Sequence, residues 1–196
     1  MIGTLPETLT VGGIEYSIRT DYRNVLRLFE AFQDPELYAE EKQIVSVYML
    51  FADFSGPDDV EAAVAGGFDI EDAVRQIAWF IAAGRQEKKD DLSTYSWRQD
   101  EQMIFSAVNK VAGMETRDIP YLHWWTFVGY FNEIGEGTFT FIMGIRNKLN
   151  HGKKLEKHEK EFLAKNHDLV EIKPVLTKEE QAQEDAANKF VDEVLG

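Results

Sequence analysis

The sequence predicts a mainly α protein, a compact bundle of about six to eight helices preceded by one short β-hairpin. Three observations carry that prediction. Apolar residues recur at helical spacing through most of the 196 residues, helix-start residues punctuate them, and a Gly-Gly pair separates the two strand-like runs near the start. At this length folding buries roughly 70% of the unfolded chain's surface. The 44% apolar and 12% aromatic content supplies a core to match.

Leu9-Thr10-Val11 and Ile14-Glu15-Tyr16-Ser17-Ile18 flank Gly12-Gly13, a hairpin signal because the favoured two-residue turn needs positive φ at both central positions. Asp21 is placed to cap a helix through Leu26, Phe29 and Phe32. Asp34-Pro35 then restarts the chain with proline at the first helical position. That second helix carries Leu37, Ile44, Val47, Tyr48, Leu50 and Phe51 until Ser55-Gly56-Pro57 breaks it. A short Ala-rich turn over 60–64 ends at Gly66-Gly67, and Asp69 caps a helix with Val74, Ile77, Ala78 and Ile81 inward. Gly84 and the polar run 85–91 mark the next boundary.

From about 96 to 111, Trp97, Ile104, Val108 and Val111 fall at helical spacing. Asp118 is positioned to cap an aromatic helix ending near Gly135 and Gly137. Thr138 caps another, with Phe141, Ile142, Ile145 and Leu149 inward. Beyond Gly152 the pattern gives a charged helix over 156–166, an extended segment over 169–175, and an acidic, Ala-rich helix over 177–195. The last opens with the capping box Thr177-Lys178-Glu179-Glu180. Residues 1–152 therefore read as a helical domain with its hairpin, and 153–196 as a charged helical extension that docks weakly or is mobile.

A formal charge of −14 argues against a general nucleic-acid binder, since phosphate neutralisation needs clustered Lys and Arg. The stretch 146–165 runs the other way, with Arg146, Lys148, Lys153, Lys154, Lys157, Lys160 and Lys165 against three glutamates. It reads as a solvated helix face or a surface for an acidic protein partner. Without cysteine the chain has no disulfide, zinc-thiolate or thiol chemistry, which suits a reducing cytoplasm. No apolar run approaches the ~20 residues that span a bilayer, and the N-terminus lacks a basic, then apolar, leader.

Residue chemistry offers few candidate sites. Arg146-Asn147-Lys148-Leu149-Asn150-His151, an Arg followed five positions later by a His, resembles the signature of HEPN ribonucleases, in which imidazole serves as acid or base and guanidinium holds phosphate. The structural alternative keeps Arg146 and Lys148 solvated and sets His151 at a helix C-terminus, where a cation is favoured. His158-Glu159-Lys160-Glu161-Phe162 has Phe162 where a zinc-protease helix needs its second histidine, and His151 with His158 lacks a third ligand. His123, among aromatic residues, reads as a packed core or rim histidine. The carboxylate pairs Glu40-Glu41, Asp58-Asp59, Glu71-Asp72, Asp90-Asp91 and Glu179-Glu180 stand in polar surroundings that would not split their acidities. No Walker loop or Gly-x-Ser-x-Gly elbow occurs. The reading assigns no catalytic residue, no cofactor-binding residue and no metal ligand.

Two of the four tryptophans are adjacent in Tyr121-Leu122-His123-Trp124-Trp125-Thr126-Phe127. Apolar residues on two overlapping stripes leave little of this helix polar. Trp125 is expected buried and Trp124 at least half-buried, as core and not as a ligand cage.

That segment also carries a resemblance. Trp97-Arg98-Gln99-Asp100-Glu101-Gln102-Met103-Ile104-Phe105-Ser106-Ala107, then Asp118-Ile119-Pro120-Tyr121-Leu122-His123-Trp124-Trp125-Thr126-Phe127, then Ile145-Arg146 and the Lys-rich helix resemble the family called bacteriophage Gp-fifteen, over about 5–173. The family comes from tailed phages and prophages of Gram-positive bacteria. Membership implies a place in tail morphogenesis near the tape-measure gene, where long-tailed phages (siphoviruses) carry tail assembly chaperones. The implied role is non-enzymatic, in the host bacterial cytoplasm, with the tape-measure protein and tail-tube protein as partners and self-association compatible with it. A structural tail completion or connector protein retained in the virion is the alternative. Membranes and nucleic acid are not expected partners.

Overall fold

Gly12 and Gly13 adopt φ of 58° and 84°, the left-handed values that a two-residue hairpin turn requires. They join β1 (Thr8–Val11) to β2 (Ile14–Ser17) in antiparallel register, Thr8 opposite Ser17 and Val11 opposite Ile14. The computed structural model describes residues 2–85 and 93–173. After the hairpin, the described residues form nine helices: α1 (Tyr22–Phe32), α2 (Ala39–Leu50), α3 (Pro57–Ala65), α4 (Ile70–Ile81), α5 (Glu101–Ala112), α6 (Trp124–Asn132), α7 (Thr138–Asn150), α8 (Lys157–Lys165) and α9 (His167–Val170). The predicted class, mainly α with an N-terminal hairpin, is the observed one.

Local chemistry sets several boundaries as expected. Asp21 accepts the Arg23 amide and Asp69 the Asp72 amide, so both side chains satisfy N–H groups that the first helical turn leaves over. Other boundaries move. Pro35 lies in a turn whose Asp34 carboxylate takes the Glu36 amide at 2.9 Å, and α2 starts only at Ala39. Residues 57–65 form a full helix with Pro57 in its first turn, not a short turn. Residues 97–100 are a separate turn, and α5 begins at Glu101. Asp118 caps nothing; His123 caps α6, which ends at Asn132. Gly137 rather than Thr138 occupies the cap of α7. Leu169 and Val170, predicted to open an extended segment over 169–175, instead end the helical turn His167–Val170, and the backbone becomes extended at Glu171. The predicted acidic helix over 177–195 lies outside the described residues.

The helices pack in a continuous path, α4 on α2, α2 on α1, α1 on α6, α6 on α5, α5 on α7, and α7 on α9. Its centre is aromatic. Tyr22 stacks on Phe127 with centroids 4.5 Å apart, and Trp97 lies between Phe29 and Phe131; such offset pairs add about 0.5–1.5 kcal/mol each to the burial term. A second cluster of Tyr16, Phe51, Phe54 and Phe68 seats the hairpin on the end of α2. There β2's continuation pairs with the chain leaving α2: the Arg19 amide donates to the Leu50 carbonyl and the Ala52 amide to that of Ser17.

Candidate functional site

Arg146, predicted to be solvated, is 4% exposed. Its five N–H donors all have acceptors. Two go to the Asp100 carboxylate, with Nη2 to Oδ1 at 2.9 Å, and three to the carbonyls of Thr94, Leu169 and Val170, the last at 2.7 Å from Nε. Asp100, 2% exposed, also accepts the Ser96 amide. Leu169 and Val170 end α9, where free carbonyls and the helix dipole favour a cation. The pair is therefore a buried junction between α5, α7 and α9, with no donor left to hold a phosphate. His151 caps the end of α7 as expected, its Nδ1 2.8 Å from the Asn147 carbonyl. The resemblance to the ribonuclease signature thus brings no working pair together, because the arginine points into the interior.

His123 is buried and its two ring nitrogens are assigned by their partners. Nδ1 accepts the Trp125 amide at 3.0 Å, which caps α6, and Nε2 then donates to the Pro6 carbonyl at 3.0 Å. The start of α6 is bolted to the start of α1: the Tyr22 amide donates to Leu122, the Trp124 amide to Thr20, and the Leu122 amide to the Asp21 carboxylate.

The tryptophan pair caps a third helix. Trp124 Nε1 donates to the Ile81 carbonyl and Trp125 Nε1 to that of Phe80, each at 2.9 Å, so neighbouring indoles satisfy neighbouring carbonyls in the last turn of α4. The predicted order of burial is reversed. Trp124 is 2% exposed, between Phe29, Trp97 and Phe127, whereas Trp125 is only partly covered. Trp125 lies against Trp79 and against Gly84, where φ is +73° and a Cβ would stand 3.3 Å from the indole. Nothing in the residue order distinguishes which indole faces the core, since both stripes are apolar.

Three grooves lie among the described residues. The first, of about 610 Å³, runs between α5 and the α6–α7 connection, past Met103, Lys110, Glu133 and Glu136. The second, of about 290 Å³, lies between α1 and the 97–105 stretch and carries Arg23, Arg27, Arg98 and Arg117 over Tyr22, Trp97 and Phe105. The third, of about 280 Å³, lies between α1, α2 and α4. Its wall is the stripe Val74, Ile77, Ala78 and Ile81 that the sequence predicted to face inward. The buried face of α4 is Ala73, Ile77 and Phe80 instead, one step round the helix. Leu149, also predicted inward, is exposed.

The acidic pairs sit at helix starts. Glu41 accepts the Tyr38 amide, Asp59 the Ser55 amide and Asp72 the Gly12 amide, and this last bond holds the Asp72 carboxyl below its usual range. Asp90-Asp91 and Glu179-Glu180 lie outside the described residues. Glu159 bonds Lys148 through both oxygens, at 2.6 and 2.8 Å, and is held low first by that lysine and then by the Glu156 amide. So Lys148, predicted solvated, is also engaged. Arg117 grips Glu115 through Nε and Nη2 and brings its carboxyl down to about 2. His158 stacks on Phe141. Among the described residues no group of three or more His, Asp or Glu could hold a metal ion, and no helix is long and apolar enough to cross a membrane.

Sequence reasoning missed the arginine groove, because its walls are distant in sequence and meet only through the packing of α1 beside α5. No curated protein and no solved structure matches the chain. One family model does, over residues 1–172, and the matched range spans the bonds between the starts of α1 and α6, the indole cap and the Arg146 junction. The chain is therefore a phage protein and belongs to the family described as Bacteriophage Gp15 protein.

Proposed function

We propose that the protein is a non-enzymatic tail assembly chaperone that works in the host bacterial cytoplasm and binds the tape-measure protein and tail-tube subunits. The family match over 1–172 carries this reading. Two physical features support it. A charge of −14 favours solubility of the protein and of a client bound to it. The groove between α1, α2 and α4, walled by Phe29, Phe32, Val74 and Ile81, has the apolar lining that an amphipathic client helix needs for helix-in-groove binding. The one motif suggestive of catalysis has its arginine wholly engaged with Asp100 and backbone carbonyls.

Co-expression with the tape-measure protein of the same phage tests the proposal. The client should become soluble and co-purify, and Phe32→Glu should weaken that capture. A chain that stays apart from an insoluble client contradicts it. Recovery of the protein in purified particles by mass spectrometry would assign it instead to the virion, as a completion or connector component. Incubation with total RNA should leave the RNA intact for the wild type and for His151→Ala alike.

A further inference from the structure

We infer that copies of this protein join head to tail, the lysine face around α8 of one copy seated on the acidic end formed by α2 and α3 of the next. The charge is divided unevenly along the chain. Residues 33–72, from the end of α1 to the first turn of α4, hold eleven carboxylates against Lys42 alone. Counting Arg75 as well, whose guanidinium holds Asp72, this end carries −9. Residues 138–173 hold eight bases against five acids. With Asp100, the partner of Arg146, counted against them, that end is still +2.

Much of this charge is unspent within one copy. Lys148 is taken by Glu159, and Lys157 stands 4.0 Å from Glu161. Lys153, Lys154, Lys160 and Lys165 are exposed and make no ion pair among the described residues. At the other end the same holds for Glu40, Asp58, Glu61 and Glu71. With α3 packed on α2 and α8 on α9, the two surfaces stand at opposite ends of the path along which the helices pack, and no ion pair among the described residues joins them. Apolar side chains stand among both sets of charges. Tyr38 and Val64 are exposed at the acidic end, Leu149 and Leu169 at the basic one. Each surface therefore offers an apolar centre with a charged border, and the borders are of opposite sign.

A second copy is the acidic occupant that the chain itself supplies. Its net charge of −14 repels at a distance, but that field is screened beyond about 8 Å at physiological salt, so the pairing of lysines with carboxylates at contact decides. Exposed ion pairs are individually weak, and the association is accordingly reversible and dependent on concentration. A two-fold dimer of like ends would set acid on acid or lysine on lysine. Because each head-to-tail junction uses two different surfaces, every added copy leaves one acidic and one basic end open, and growth continues as a row or closes into a ring.

Sedimentation equilibrium of the full-length protein alone tests this, and with no client present its outcome is separate from that of the co-expression experiment. At about 0.15 M salt the average mass should rise at least about twofold above the 22.5 kDa of one chain as concentration increases, and return to it near about 1 M salt. Lys153→Glu with Lys154→Glu and Lys160→Glu should leave a monomer of unchanged melting temperature, and so should Glu40→Lys with Asp58→Lys and Glu61→Lys. The corresponding changes to Gln serve if a reversal disturbs folding. An equimolar mixture of the two variants should form pairs that grow no further, because the intact acidic end of one meets the intact basic end of the other. A wild type monomeric at every concentration, association indifferent to both sets of changes, or variants that do not pair on mixing would each overturn the inference. So would a monomer retained on heparin through these lysines, which would assign the face to a different polyanion.

Discussion

Arg146 and Arg98 both lie beyond the hairpin, yet one is 4% exposed with every donor engaged and the other is open to solvent without a partner among the described residues. Their difference lies in what each faces. Arg146 meets the carbonyls at the end of α9 and the Asp100 carboxylate. Arg19 repeats the pattern at the end of α2, reaching the carbonyls of Tyr48 at 2.7 Å and Phe54 at 3.0 Å. Arg23 is partly buried in the same way by the carbonyls of Arg117 and Ile119. Arg98 meets no such carbonyls among the described residues and stays on the surface. Burying a guanidinium is tolerable only because carbonyls and a carboxylate replace its water.

Breaking the interior arginine should have the largest effect. Arg146→Ala leaves Asp100 charged, buried and unpaired, and urea unfolding should show a loss of about 3–5 kcal/mol; a loss below about 1 kcal/mol would place Arg146 on the exposed side of the comparison. Trp124→Ala comes next, at roughly 3–5 kcal/mol for an aromatic core truncation. Trp125→Ala should lose about half as much, because Trp125 is only partly covered. Equal losses would show that the shared role of capping α4, and not burial, dominates.

Smaller changes sharpen the picture. His123→Ala should lose about 1–2 kcal/mol with the α6 cap, and His123→Asn, which can still accept the Trp125 amide, should recover part of it in thermal melts. Glu115, held near pH 2 by Arg117 and Asn109, favours the folded state in its charged form. Its contribution is complete above the usual value of 4.5 and is lost as pH falls through the range from 4.5 to about 2. The stability gap between wild type and Glu115→Gln should close over that acid range; a gap independent of pH contradicts the assignment. Least of all, Arg27→Ala and Arg98→Ala should shift stability by no more than about 0.5 kcal/mol.

The fold was legible where local chemistry decides it. Gly12-Gly13, Asp21 and Asp69 act on backbone groups within three residues of themselves, so their sequence neighbourhood contains the whole interaction. Asp118 looked like the same kind of residue, but the helix start it would cap is made by an imidazole held from the other end of the chain by Pro6. The stripe on α4 was found correctly and oriented one step wrong, since only tertiary packing decides which flank of an apolar face is core and which is groove wall. Likewise the β-branched run near Val170 reads as extended, while Arg146 collects the carbonyls of a helical turn there. The Arg146 junction joins residues 46 positions apart, and spacing along one helix carries no trace of it.

The motif with a catalytic look is an internal latch between Arg146 and Asp100, and a double-mutant cycle on that pair measures it directly. Arg146→Met, Asp100→Leu and the double variant are unfolded in urea beside the wild type. The latch predicts that the double variant is more stable than the sum of the single losses by at least about 2 kcal/mol, because each single change strands a buried charge that the second removes. Losses that add to within about 0.5 kcal/mol would contradict it.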